Sequence, residues 1–244
     1  MRASQWSQSS DRRPNQSVHR APESTLSTGR PYNGGMKITL AAQIGRRQML
    51  AGTVATAAAT LLPAPALAAV ADARLVEIAR RELDRLGNKV WVTDVVGLAD
   101  FSLVSAEQRF FIVNLVAGTV KPYYVTHGRG SDPEHDGWLK GFSNDPGSNA
   151  TSRGAYLTGK YYDGKHGLSM RLVGLDADNS NAEDRAIVVH GADYADPALI
   201  ATMGKLGRSE GCLAFPKGNL VEVIARMGPG RLIFADRFEG PYRA

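Results

Sequence analysis

The sequence predicts a mostly β fold of the α+β class, with a few peripheral helices. Three observations support this prediction. Short runs of β-branched and aromatic residues recur along the chain, glycine- and proline-rich turns separate them, and helical periodicity is confined to the two ends of the folded part. The predicted strands cover residues 109–116, 119–125, 155–162, 169–175, 185–190, 212–215 and 231–235.

Two amphipathic segments predict helices on either side of the strands. Leu75 and Leu86 delimit the first, in which apolar residues recur at helical spacing until Gly87 ends the pattern. The second covers residues 220–227, with Asn219 as its N-cap and a Gly-Pro-Gly sequence after it.

The first 68 residues have the pattern of a targeting segment, which is not a part of the folded domain. Residues 1–35 are rich in Ser, Arg, Pro and Gln and cannot bury enough apolar surface to fold. A signal peptide of ordinary length begins at Met36, so the true start of the protein is either Met1 or Met36. The pair Arg46-Arg47 precedes an apolar stretch that ends in an Ala-x-Ala pattern. This arrangement is typical of a Tat-type signal peptide, cleaved here after Ala68.

Cleavage would leave residues 69–244 as a single domain with no membrane span. This part has 21 lysines and arginines and 22 aspartates and glutamates, so the net charge of +5 belongs to the presequence. A nucleic-acid partner is not expected, because phosphate binding needs a clustered positive surface. We expect a periplasmic or cell-envelope monomer, exported by the Tat machinery.

Cys212 is the one cysteine of the chain, and it begins a predicted strand. A lone cysteine is either a packing residue or a reactive thiol. Another predicted strand ends at His190, directly before Gly191. A free thiol has a pKa of about 8.5, so an imidazole that takes its proton makes it an efficient nucleophile. Cys212 and His190 are a candidate nucleophile and base, although residue types alone also fit packing.

The neighbours of this pair are candidates for supporting roles. Gly211 and Gly191 allow close backbone approach, and the amides of Gly211 and Cys212 are candidate oxyanion donors. An oxyanion donor elsewhere contributes about 3 to 4 kcal/mol. Ser209 is a candidate for orienting either the imidazole or the loop.

The pattern His190-Gly191 followed by Ser209-x-Gly211-Cys212 resembles the signature of the YkuD-type L,D-transpeptidases. Segments 142–144, 159–168, 185–192 and 207–209 extend the resemblance to a divergent branch of murein L,D-transpeptidase catalytic domains. The resemblance implies a two-sheet β-sandwich over residues 69–244. It also implies an active site at strand ends and a long loop, residues 128–154, that covers the site.

The resemblance also implies an activity. Cys212 would attack the peptide bond before the terminal D-alanine of a peptidoglycan stem tetrapeptide, and a neighbouring stem amine would take the acyl group from the thioester. If water took it instead, the protein would be an L,D-carboxypeptidase or endopeptidase. A non-catalytic cell-wall-binding protein is a third possibility, and no cofactor is implied.

The chain departs from the main family at two positions and in the interval from His190 to Cys212, which is longer than usual. Glu210 stands where a histidine is common, and Leu213 stands where an arginine often follows the cysteine. Arg208 is therefore a candidate to contact a substrate carboxylate.

Three further histidines invite functional interpretations. His127 ends a predicted strand and is a candidate groove residue or a surface histidine on a turn. We expect a structural role for His166, because glycines flank it in a predicted hairpin turn. His135 lies among acidic residues, but no second cluster has ligand spacing, so we expect no metal site.

Overall fold

Eight strands form one continuous mixed sheet in the computed structural model, which describes residues 64–238. The strands are β1 Val95–Asp100, β2 Phe110–Asn114, β3 Thr119–Tyr123, β4 Gly154–Gly164, β5 Gly167–Gly174, β6 Val188–Gly191, β7 Leu213–Phe215 and β8 Leu232–Asp236. Their order across the sheet is β3-β2-β1-β8-β4-β5-β6-β7. The predicted mostly β class is confirmed, and each predicted strand overlaps an observed one.

The sheet curls so far that its two ends share one core. The rings of Phe110 in β2 and Phe215 in β7 meet edge to face with centroids 4.9 Å apart, although five strands lie between them. Beyond β3, the amide of Thr126 donates to the carbonyl oxygen of Ala214 in β7 at 2.9 Å. The two sheets of the expected sandwich are therefore two halves of one sheet, joined by β8, which pairs with both β1 and β4.

In the described part of the chain, three α-helices accompany the sheet: α1 Ala64–Leu86, α2 Ala198–Met203 and α3 Lys217–Met227. α1 packs on the outer face through residues such as Leu75 and Ile78. α3 contributes Val223 and Met227 to the inner core. The two predicted helices are observed as α1 and α3. Among residues 64–238, no helix is long and apolar enough to cross a membrane.

The predicted cleavage position after Ala68 lies inside α1, which begins at Ala64. Residues 1–63, with the twin-arginine pair, are outside the described residues. Export and the division at residue 68 stay predictions.

Two elements have no clear sequence signal. All six residues of β1 are buried, so the alternation that marks a half-buried strand is missing. α2 has only six residues and no buried face. The predicted strand 185–190 begins at Val188 instead, because the chain turns at Ala186, which has a φ of 53°.

The tight approach of β1 to its neighbours leads to a first prediction. A Cβ at Gly97 would lie 2.6 Å from Cζ of Phe110 and 3.1 Å from Cγ1 of Ile233, and both side chains are fixed in the core. Gly97→Ala should lower the free energy of unfolding by about 1 to 3 kcal/mol through overpacking, as measured by urea denaturation. Gly141→Ala is the matched control, because a Cβ there meets nothing within 4 Å. Equal stability of the two variants would contradict the prediction.

Candidate active site

Cys212 and His190 are brought together by the parallel pairing of β6 with β7. The register sets Val189 opposite Leu213, and both side chains belong to the inner core. Because successive side chains of a strand point to opposite faces, His190 and Cys212 both point away from that core, on the same face. Both line one groove with a volume of about 540 Å³.

Charged side chains give the groove a positive character. Four cationic residues line it, namely Arg129, Lys165, Arg185 and Arg208, together with the acidic Glu210. Arg129 and Glu210 form an exposed ion pair at 3.1 Å across the groove lining. The groove therefore suits a substrate that carries carboxylates.

The nucleophile position is reached through a turn that requires glycine. Gly211 has a φ of 116°, and a Cβ there would lie 2.7 Å from the carbonyl oxygen of Ala150 and 2.7 Å from Cδ1 of Ile187. Cys212 is partly exposed, and its Sγ lies 3.6 Å from the carbonyl oxygen of Ala186. Burial raises the pKa of Cys212. The sulfur therefore rests as a neutral thiol that donates to Ala186.

Ser209 stabilises the turn in front of the nucleophile. Its hydroxyl donates to the carbonyl oxygen of Cys212 at 2.7 Å and accepts the amide of Gly211 at 3.2 Å. Of the two roles considered for Ser209, this geometry matches orientation of the loop and not of the imidazole. The amide of Gly211, a candidate oxyanion donor, points at Ser209 in this structure.

A backbone hydrogen bond and burial hold the ring of His190, the candidate base, in its neutral form. Its Nδ1 lies 3.0 Å from the carbonyl oxygen of Gly191, and because a carbonyl only accepts, Nδ1 carries the hydrogen and Nε2 keeps its lone pair. The ring is buried, with 1% of its surface exposed. Burial lowers the pKa of His190, the Gly191 carbonyl opposes this, and His166 adds to the lowering. Gly191 thus supports the base through its carbonyl oxygen.

Two aromatic side chains, those of His166 and Tyr194, contact the ring of His190. The ring of His166 stacks on it with centroids 4.2 Å apart and planes at 19°. The hydroxyl of Tyr194 lies 3.4 Å from Nε2, and burial raises the pKa of Tyr194, so the phenol stays a donor. Tyr194 has no sequence signal. The sequence places His166 in a hairpin turn, but that pattern predicts a structural role and not a position in the groove.

The two candidate substrate-binding residues lie in different places. Arg208 lines the groove, and its Nη1 donates to the carbonyl oxygens of Asp132 and Pro133. His127 is 1% exposed and lies behind the nucleophile turn, where its carbonyl oxygen accepts the amide of Ser209 at 2.9 Å. The structure therefore corrects both interpretations of His127, because the continuation of β3 takes it beneath the turn.

A match to a known protein family decides which family the chain belongs to. The family model of the L,D-transpeptidase catalytic domain matches residues 69–235. The chain belongs to this family. Members of this family are in general cysteine-dependent acyltransferases with a peptidoglycan-related role and are typically located in the cell envelope.

Several solved structures are similar to the chain. An L,D-transpeptidase from Mycobacterium smegmatis is 14% identical with a TM-score of 0.36, covering 59% of this chain and 58% of that one. The helical cell shape determining protein Pgp2 from Campylobacter jejuni is 13% identical with a TM-score of 0.39, covering 67% and 56%. The chain thus spans less than two thirds of each of these proteins. No curated protein matches the sequence.

Behind the nucleophile turn of this L,D-transpeptidase domain lies a buried network of three charged or titratable side chains. Arg109 donates from Nη2 to Nδ1 of His127 at 2.8 Å, so Nε2 of His127 carries the hydrogen toward Asp132 Oδ2 at 3.1 Å. Burial lowers the pKa of His127, the charge of Arg109 lowers it further, and Asp132 opposes them. Within residues 64–238, no three His, Cys, Asp or Glu side chains form a metal site.

This network predicts how stability depends on pH. The pKa of His127 is lower in the folded protein than in the unfolded chain, where it is about 6.5, so acid favours the unfolded state below that pH. The wild-type protein should lose unfolding free energy between about pH 7 and pH 5, and His127→Gln should lose less. Urea denaturation at both pH values measures the difference. Equal losses in the two proteins would contradict it.

The resting state of the thiol gives a second prediction for the site. Only the thiolate reacts with iodoacetamide, so alkylation of Cys212 should accelerate roughly tenfold per pH unit between about pH 6 and pH 8. Mass spectrometry of the single cysteine follows the rate directly. A rate that stays flat over this range would mean a resting thiolate–imidazolium pair and would refute the neutral thiol.

Proposed function

We propose that the protein is a peptidoglycan L,D-transpeptidase that acts on murein stem tetrapeptides through a thioester on Cys212. The main support is the bond from His190 Nδ1 to the Gly191 carbonyl oxygen, which leaves Nε2 as a proton acceptor in the groove that holds Cys212. A packing cysteine needs no oriented base beside it. The family match supports the same chemistry.

In the first step, the thiol turns from Ala186 toward His190 and gives its proton to Nε2. The sulfur attacks the carbonyl carbon of the peptide bond before the terminal D-alanine, forming a tetrahedral intermediate. His190 then returns the proton to the departing amine, and free D-alanine leaves as the C–N bond breaks. The product is a thioester on Cys212 and a neutral imidazole.

In the second step, an amine from a neighbouring stem attacks the thioester. His190 accepts a proton from that amine, the new amide bond forms, and the sulfur leaves and recovers its proton from His190. The two steps together replace one peptide bond by another, so neither a cofactor nor external energy is needed.

The charge of the groove supports a peptide substrate of this kind. Murein stems carry free carboxylates, and the cationic side chains of the groove outnumber its one acidic residue, Glu210. Arg208 is our candidate for a substrate carboxylate, because its guanidinium is bonded to neutral carbonyl oxygens and retains an unneutralised charge.

Cell-envelope location is part of the same proposal. The twin-arginine pattern at 46–47 and the Ala-x-Ala pattern at Ala68 support export before the enzyme meets its substrate. The described residues contain no helix able to cross a membrane. We also propose that the exported protein is a monomer.

Purified muropeptide tetrapeptides test the activity. The wild-type protein should convert them into cross-linked dimers with release of D-alanine, as followed by mass spectrometry. Cys212→Ala should lose this activity by a factor of about 10⁴ or more, because the thioester no longer forms. The folded state of the variant is checked by its unfolding transition.

Other outcomes separate the alternatives. Tripeptides with free D-alanine and no dimers would identify a hydrolase that uses the same thioester. Binding to peptidoglycan without any product would identify a cell-wall-binding protein, and unchanged dimer formation by Cys212→Ala would refute the proposed nucleophile.

A further inference from the structure

His166 lies against the face of the proposed catalytic base. Its imidazole ring is stacked on His190 with centroids 4.2 Å apart and planes at 19°. Tyr194 meets the edge of the same ring with centroids 6.4 Å apart at 77°. His190 is therefore enclosed between an aromatic ring on its face and a second one at its edge, and neither neighbour takes part in the two chemical steps above.

The β4–β5 hairpin carries His166 to this position. Gly164 pairs with Gly167, so that Lys165 and His166 form the tip of the turn, and Gly167 has the positive φ of 70° that this turn requires. β5 then pairs with β6 so that Ser169 lies opposite His190. His166 is three residues before Ser169, in a turn that folds back over His190.

Burial shows what the stacked ring does. His190 lies at a groove yet is only 1% exposed, whereas His166 is itself exposed to solvent. His166 is thus a layer between the base and bulk water. A water molecule that hydrolyses the thioester must be activated by the same Nε2 that activates an acceptor amine. Covering the ring restricts the approach of that water to the groove, where an acceptor stem competes with it.

We propose that His166 is a positioning residue that covers His190, holds its imidazole toward Cys212 and thereby favours an amine over water as the acyl acceptor. The proposal rests on the thioester chemistry proposed above. In this proposal, the β4–β5 turn covers His190 with the face of an aromatic ring, and His166 transfers no proton.

Three variants test this role in the muropeptide assay. His166→Ala removes the ring, His166→Phe keeps an aromatic face without a titratable group, and Asp163→Ala changes an exposed residue of the same hairpin that does not line the groove. The measured quantities are the ratio of dimer to tripeptide and the rate of D-alanine release.

We expect His166→Ala to lower the dimer-to-tripeptide ratio by roughly tenfold or more, since small displacements of a catalytic group cost large factors in rate. His166→Phe should restore most of the wild-type ratio, and Asp163→Ala should match the wild type. A wild-type ratio and rate in His166→Ala would overturn the proposal. A His166→Phe variant as impaired as His166→Ala would also overturn it, because the imidazole and not the ring face would then be needed.

A measurement that needs no murein substrate distinguishes failure of this role from failure of the proposed function. If the wild-type protein makes no product from any stem peptide, the pKa of His190, followed by NMR, still reports on the cover. Burial lowers this pKa, so a higher pKa in His166→Ala, largely restored in His166→Phe, would support the covering role without the murein substrate. An equal pKa in all the variants would refute it.

Discussion

The parallel pairing of β6 with β7 is the constraint on which the whole site depends. It sets Val189 opposite Leu213 and buries both in the inner core. A shift of this register by one residue would turn either Cys212 or His190, the two side chains proposed as catalytic, into the core, because the side chains of a strand alternate between its faces. The apolar residues between the functional ones therefore specify the active site as firmly as the functional residues do.

A buried polar network lies behind the turn that precedes Cys212, the proposed nucleophile. Arg109, His127 and Asp132 satisfy one another away from water, and the carbonyl oxygen of His127 accepts the amide of Ser209. Removing one member of such a network leaves a buried group unpaired, which typically costs about 3 to 5 kcal/mol when the group is charged. The network thus joins the stability of the fold to the position of the turn that presents Cys212.

The long loop after β3, residues 128–154, and the short β4–β5 turn both contribute to the groove, through Arg129 and His166. The loop is tied down, since the guanidinium of Arg185 donates to carbonyl oxygens at Ser143 and Ala150. The short turn instead provides His166, whose ring lies on the base. Of the two segments, the shorter one covers His190, the proposed base, and we infer that this cover controls what reaches the proposed thioester.

The sequence by itself determined the mostly β class and the two main helices, and it nominated Cys212 and His190 as a candidate pair, because periodicity and short motifs are local properties. β1 was missed because a fully buried strand does not alternate. Only the tertiary structure decided that two half-sheets are one curled sheet, that His127 is buried and that His166 stacks on His190. Each of these depends on contacts between segments distant in sequence, and such contacts follow from register and curvature, which no local pattern encodes.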